Sequence, residues 1–198
     1  PANPLSAVIT RNPCLLIFFT VHSISIVNEP WRDSMVDQLG ISLWRGLYSL
    51  VAVIGLLLII WGYVLARQQP LLIYPPSIWL HRISLILLIP VFPLILATWL
   101  PGNIKAKVRH PMLLAIKIWA LAHLLSNGML SDVILFGSFL IWSIINLRSM
   151  RIRQVRTDPN TDAFVANDTI CVTIGIGLYI LVSLWLHDWL VGVAPTFI

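Results

Sequence analysis

The sequence predicts an all-α polytopic integral membrane protein, with about six transmembrane helices in one bundle. Two observations carry this. Apolar residues make up 58% of the 198-residue chain and charged residues only 11%, a balance that leaves too little polar surface to clothe a soluble fold. The apolar residues also fall into runs close to the roughly 20 residues that cross a bilayer core, and those runs nearly exhaust the chain. With a mean hydropathy of +0.88, the first expected partner of this surface is the lipid bilayer.

The first apolar segment runs from about Pro13 to Val27, with a start extending toward Leu5 if Arg11 lies near its beginning. The second covers about Leu47 to Ala66. The third covers about Ile83 to Leu100, and its internal Pro90 and Pro93 predict a kink, because proline removes a backbone donor and clashes with the preceding turn. The fourth opens on Pro111, a good first-turn residue since the missing N–H would be unpaired there anyway, and ends near Leu125, before Asn127-Gly128. The fifth spans about Leu130 to Leu147 and the sixth about Ile170 to Leu190. The expected organisation is a five-helix bundle over 1–148, a basic cytoplasmic loop over 149–168 with Arg151, Arg153 and Arg156, and a C-terminal transmembrane helix over 169–198. No internal repeat is visible. No cleavable signal is expected, because Pro4, Arg11, Asn12 and Pro13 break the first residues, and Pro1 is read as following a removed initiator Met or a trimmed start.

Charge sets orientation and narrows chemistry. The net charge is +5, which in a membrane protein reports topology and anionic lipid contact, with no nucleic-acid partner expected. The loops after the first, third and fifth segments carry nine Lys and Arg against three on the opposite side, with Lys117 left inside the fourth. This places those loops in the cytoplasm of a multi-pass protein, most simply of a bacterial inner membrane. Trp31, Trp44, Trp79, Trp99, Trp185 and Trp189 fall near segment ends as an aromatic belt, whereas Trp119 and Trp142 are expected to pack inside. Glu29 is the sole Glu and the seven Asp lie near segment ends or in loops, so carboxylate-based catalysis has almost no material in the membrane interior. Cys14 and Cys171 are isolated in apolar segments and fit no metal or redox spacing.

Histidine is therefore the residue type to follow. An ionisable side chain inside an apolar span is costly and marks a functional site by default. His123 lies twelve residues into the fourth segment, roughly 18 Å along the axis, with Trp119 one turn earlier on the same face. Hydrogen bonding to a neighbouring helix and metal ligation both account for it. His22 lies in the first segment beside Thr20, Ser23 and Ser25, hydroxyls that serve helix packing or orient an imidazole. His110 opens the fourth segment beside Arg109, and Lys117 is about 20° around the helix from it. Those three form one basic face, suited to snorkelling or to an anion clamp for haem propionates, a phosphate or a carboxylate. His81 and His187 adjoin charged residues at segment ends and read most simply as interfacial polar groups. Two intramembrane imidazoles without nearby carboxylates point to a metal centre, in a membrane most plausibly haem.

His22-Ser23, Trp44-Arg45-Gly46-Leu47-Tyr48-Ser49-Leu50, Trp61-Gly62, Leu100-Pro101-Gly102, Lys105 and the stretch Arg109 to Gly128 together resemble the NnrU family of bacterial membrane proteins, up to about residue 150. The family is named for a gene cluster of nitrite and nitric oxide reduction, and is similar to the plant zeta-carotene isomerase, a membrane haem b enzyme. The resemblance implies haem b with His22 and His123 as iron ligands: one ligand histidine of the relative precedes a Ser in an early helix, and the other lies in a Trp-x-x-Ala-His segment. It further implies Trp119, Arg109, His110 and Lys117 around the cofactor. Ala120 stands where the relative has a cysteine implicated in ligand exchange, which leaves a Cys-to-His exchange without its thiol. Both imidazoles must lie at similar depth to share one iron. His22, about 8 Å from a helix end at Val27, meets this better if the helix continues to Glu29, where Pro30 would stop it.

The functions in competition are a haem b membrane protein, acting in denitrification or as a cis–trans isomerase-like enzyme on a hydrophobic small molecule, and a non-catalytic subunit of an assembly with other membrane subunits. A membrane methyltransferase is the third, since Arg109-His110-Pro111 also marks those enzymes, though Leu113 replaces their Tyr and their acidic C-terminal motif is missing. No catalytic residue is assigned.

Overall fold

The computed structural model describes residues 13–68, 70–152 and 164–192. The expected extension toward Leu5, Arg11, and the basic loop's Arg153 and Arg156 lie outside the described residues. Among the described residues the regular elements are helices, joined by one isolated β-bridge between Leu72 and Met129. They are α1 (Pro13–Val27), α2 (Glu29–Leu39), α3 (Ile41–Arg67), α4 (Ile78–Leu88), α5 (Val91–Ala97), α6 (Asn103–Val108), α7 (Pro111–Ser126), α8 (Leu130–Ile152) and α9 (Val165–Leu181). A π-helical turn (Val182–Leu186) then leads into α10 (His187–Val191).

Among the described residues four spans are long and apolar enough to cross a membrane: Ile41–Arg67, Ile78–Ala97, Leu130–Met150 and Val165–Leu190. The fit is to an integral membrane protein with a helical bundle, although two of the six expected spans, Leu15–Val27 and Pro111–Ser126, are apolar but shorter. Local chemistry cuts both short. After α1, the Asn28 side chain accepts a hydrogen bond from the Trp31 backbone N–H at 3.0 Å and caps the start of α2. Pro30 therefore sits in the first turn of a new helix and does not end the old one, contrary to the expected continuation to Glu29. After α7, Asn127 adopts an extended backbone, and Gly128 packs so closely on Tyr74 that a Cβ there would come within 1.7 Å of the Tyr74 carbonyl oxygen.

The two prolines of the third segment act as expected. The helix breaks at Ile89-Pro90, and Pro90 caps α5. Outward faces are rich in large apolar side chains, such as Leu50, Val53, Leu57 and Trp61 of α3 and Ile86 of α4, as lipid-facing surfaces require. Trp31, Trp79, Trp99, Trp185 and Trp189 are exposed too.

Residues 1–72 and 129–131 form one compact unit, and residues 73–128 and 132–198 a second, so the last span groups with the second unit. In the first unit α1 packs on α3. The buried residues of α3 are Gly55, Ile59, Gly62 and Ala66, a helical stripe of mostly small side chains of the kind that lets membrane helices approach closely. Phe18 of α1 sits over Gly55, where an added Cβ would lie 3.2 Å from its ring.

In the second unit α4 and α5 pack on α7, and α9 packs on α5. Val91, Leu94 and Ala115 form the core, with Leu88, Ile95, Ile118 and Trp119 against it. Gly175 lets α9 close on Pro93, since a Cβ there would come within 2.5 Å of the proline ring. Polar ties then fix the helix ends. Asp168 accepts from the backbone N–H groups of Asn103 at 2.8 Å and Ile104 at 3.0 Å, satisfying the donors at the start of α6. Asn167 Nδ2 donates to the Pro101 carbonyl at 2.6 Å, and the Tyr179 hydroxyl to the Leu85 carbonyl at 2.9 Å. The Tyr74 hydroxyl bonds the Leu124 carbonyl and lies 2.8 Å from that of Asn127, closing the open end of α7.

Candidate functional site

His123 lies three residues before the end of α7. Its Nδ1 is 2.9 Å from the Trp119 carbonyl oxygen, one turn back. A carbonyl only accepts, so Nδ1 carries the proton and the neutral ring keeps its lone pair on Nε2. Metal-ligating histidines are oriented in this way, with the second nitrogen donating to a carbonyl or carboxylate. Aromatic packing fixes the ring as well. Phe136 of α8 stacks at 4.5 Å and 29°, and Trp119 lies at 5.1 Å and 50°. Trp119 is itself held edge-on by Phe136 and Phe139, at 5.0 and 5.5 Å.

The His123 ring lines a cavity of about 280 Å³ inside the second unit, just below the roughly 300–1,000 Å³ of ordinary ligand sites. Its apolar wall includes Leu88, Val91, Phe92, Ile95 and Ala115. Polar groups gather along the rest: His81 and Ser84 from α4, Ser126 and Asn127 at the end of α7, and Tyr179, Ser183 and His187 from the last span. Among the described residues the lining thus has three imidazoles, several hydroxyls and no carboxylate. The rings of His123 and His187 are 6.3 Å apart between centroids and 27° from parallel.

His22, in the first unit, repeats the local device. Its Nδ1 is 2.8 Å from the carbonyl oxygen of Phe18, again four residues back, so its proton is placed in the same way. Phe18 stacks on the ring at 3.8 Å and 21°, and Tyr48 of α3 lies at 5.2 Å. Both histidines therefore follow an aromatic residue by four, and both donate Nδ1–H to that residue's carbonyl.

The NnrU family profile, described as NnrU protein, matches residues 13–195. The chain belongs to the NnrU family. The match carries the family pattern through the last span, past the point near residue 150 where the sequence resemblance was expected to end. No curated protein and no solved structure matches the chain.

The other expected site residues of this NnrU chain are spread along α7 and the turn before it. Trp119 lines the cavity. Arg109 is exposed and takes a positive φ of 63°, ending α6, while His110 occupies the cap position of α7 and Lys117 is half-buried in that helix. None of these three is among the residues lining the cavity. His81 and His187, read from sequence as interfacial groups, are brought to the cavity beside His123. The signal for His187 was present in the spacing. Asp168, Cys171, Gly175, Tyr179, Ser183 and His187 recur every three or four residues through an otherwise apolar helix, a small and polar stripe that marks the inward face.

Proposed function

We propose that this NnrU protein is an integral membrane haem b-binding protein in which His123 is an iron ligand. The single observation that carries the reading is the Nδ1–H bond from His123 to the Trp119 carbonyl, which leaves Nε2 as a neutral nitrogen donor on a ring that lines a cavity with no carboxylate among the described residues. The donor set fits haem: imidazole suits iron, and the apolar wall suits a macrocycle face. Haem b, when bound, supplies a redox-active iron.

The residues of the chain do the rest. Trp119 and Phe136 hold the His123 ring. His22, the partner implied by the resemblance, carries the same proton placement at Phe18. Arg109, His110 and Lys117, read from the sequence as propionate holders, lie outside the cavity lining, and His110 is thirteen residues, roughly 20 Å of helix, from His123. A pair of imidazole ligands leaves no open position, which favours electron transfer or sensing within nitrite and nitric oxide reduction over cis–trans isomerisation. Ala120 offers no thiol to vacate a position.

Visible spectra of the purified protein, oxidised and reduced, test the reading. The expected result is a low-spin haem b spectrum that is lost in His123→Ala. Absence of haem from protein purified out of haem-replete cells and then titrated with haemin sinks it.

A further inference from the structure

The resemblance pairs His123 with His22, but inside the second unit another imidazole is already placed. His123 and His187 line one cavity with ring centroids 6.3 Å apart and planes 27° from parallel. Metal–imidazole bonds are about 2.0–2.1 Å, and each nitrogen lies roughly 1 Å from its ring centre, so two imidazoles on opposite sides of one ion have centroids about 6–6.5 Å apart. Two imidazoles at a tetrahedral angle would sit closer, at about 5 Å. The observed separation is that of the opposed pair.

The helix carrying His187 is built to keep it there. An α-helix advances about 100° per residue, so residues four apart drift about 40° around the axis at each step. Tyr179, Ser183 and His187 nevertheless all line the cavity. Between Tyr179 and His187 lies the π-helical turn Val182–Leu186, whose slower winding takes back part of that drift. Single π-turns inside α-helices are frequent at functional sites. His187 follows directly on this one.

We infer that His123 and His187 hold one transition-metal ion between them, on opposite sides, entirely within the second unit. Where the ion is the haem iron, this rests on the proposed function and names its second ligand; a free divalent ion is the other source of the same chemistry. Nitrogen donors without carboxylates select iron, copper, nickel or cobalt and exclude magnesium and calcium, and the opposed placement does not suit tetrahedral zinc. Ser183 and Tyr179, one and two turns before His187, line the same wall and give the site its polar edge.

The test uses the full chain in detergent micelles, with haemin and Co²⁺ alone as separate probes, in wild type, His22→Ala, His187→Ala and His187→Met. With haemin, His187→Ala should lose the low-spin spectrum while His22→Ala keeps it. His187→Met should keep a low-spin iron with a raised potential, as Met/His ligation does, which separates a ligand from a residue needed only for folding. Retention of the unaltered low-spin spectrum in both His187 variants, with its loss in His22→Ala, overturns the inference and leaves the haem reading standing. Failure of wild type to take up haemin, together with Co²⁺ visible bands lost in His187→Ala, removes the haem reading and supports the site. Binding of neither probe overturns both.

Discussion

His22 and His123 each donate Nδ1–H to the carbonyl of an aromatic residue four positions back, at 2.8 and 2.9 Å, yet the frames around the two rings differ in kind. The first unit holds His22 with Phe18 and Tyr48, on a helix seated over the small-residue stripe of α3. The second unit surrounds His123 with side chains of several helices, gives it a cavity shared with His81 and His187, and ties its helix ends through Tyr74, Asn167 and Asp168. The same local device thus serves a ring packed between two helices in one unit and a ring facing a polar-edged cavity in the other. A histidine's proton placement is set by its own helix turn, but what that nitrogen can bind is set by what other helices bring to it.

The frame of the second unit is the more specific of the two, and the largest effect is expected where its backbones touch. Gly128→Ala places a Cβ within 1.7 Å of the Tyr74 carbonyl oxygen, and backbone cannot step aside as a side chain can. It should lower the thermal unfolding transition in detergent by an amount at or above the roughly 1–3 kcal/mol of overpacking. Gly177→Ala, with nothing within 4 Å, should leave the transition unchanged or raise it slightly. Equal behaviour of the two would dissolve the contrast between a pinned and an open position.

Tyr74 offers a smaller test with a pH signature. Its phenol is held above the ordinary value of 10.0 by burial and then by the negative charge of Asp132. A folded pKa above the unfolded one means that the protonated hydroxyl, and its bonds to the end of α7, contribute stability fully below pH 10. That contribution is lost as pH rises through the folded value. Tyr74→Phe should cost about 0.5–1.5 kcal/mol near neutral pH and should flatten the fall in stability above pH 10, read from melting curves across pH. A variant that falls as steeply as wild type places the alkaline transition elsewhere.

The smallest effect belongs to the first unit. At Gly55 an added Cβ meets the Phe18 ring at 3.2 Å, close enough to press but against a side chain able to give. Gly55→Ala should cost at most the low end of the roughly 1–3 kcal/mol of overpacking, less than Gly128→Ala, and leave any spectrum that depends on His123 unaltered. A large loss of that spectrum would show that the two histidines are energetically coupled.

Much of the fold was legible because the bilayer makes it so. Apolar runs, Pro111 at a helix start, and the Pro90–Pro93 kink all follow from backbone hydrogen bonding, and each lies where the sequence puts it. The polar helices α2 and α6 escaped because the apolar signal is silent there: α2 rests on the Asn28 cap and Pro30, and α6 on donors satisfied by Asp168, 65 residues from Asn103. At the site, His123 stood out as an imidazole deep in an apolar run. His187 did not, because its neighbour Asp188 and its place near a segment end matched an interfacial residue. Only the stripe from Cys171 through Tyr179 and Ser183, with the π-turn that keeps it aligned, reveals its inward direction, and a turn of that type leaves no mark in composition.

The central claim is that His123 Nε2 binds haem iron, and removal of the ring with chemical replacement tests it most directly. Haem-loaded His123→Gly, a variant that vacates the ring and leaves the Trp119 carbonyl in place, should have lost the low-spin visible spectrum. Added imidazole should restore that spectrum in a saturable way. A low-spin spectrum retained in His123→Gly without imidazole would contradict the claim.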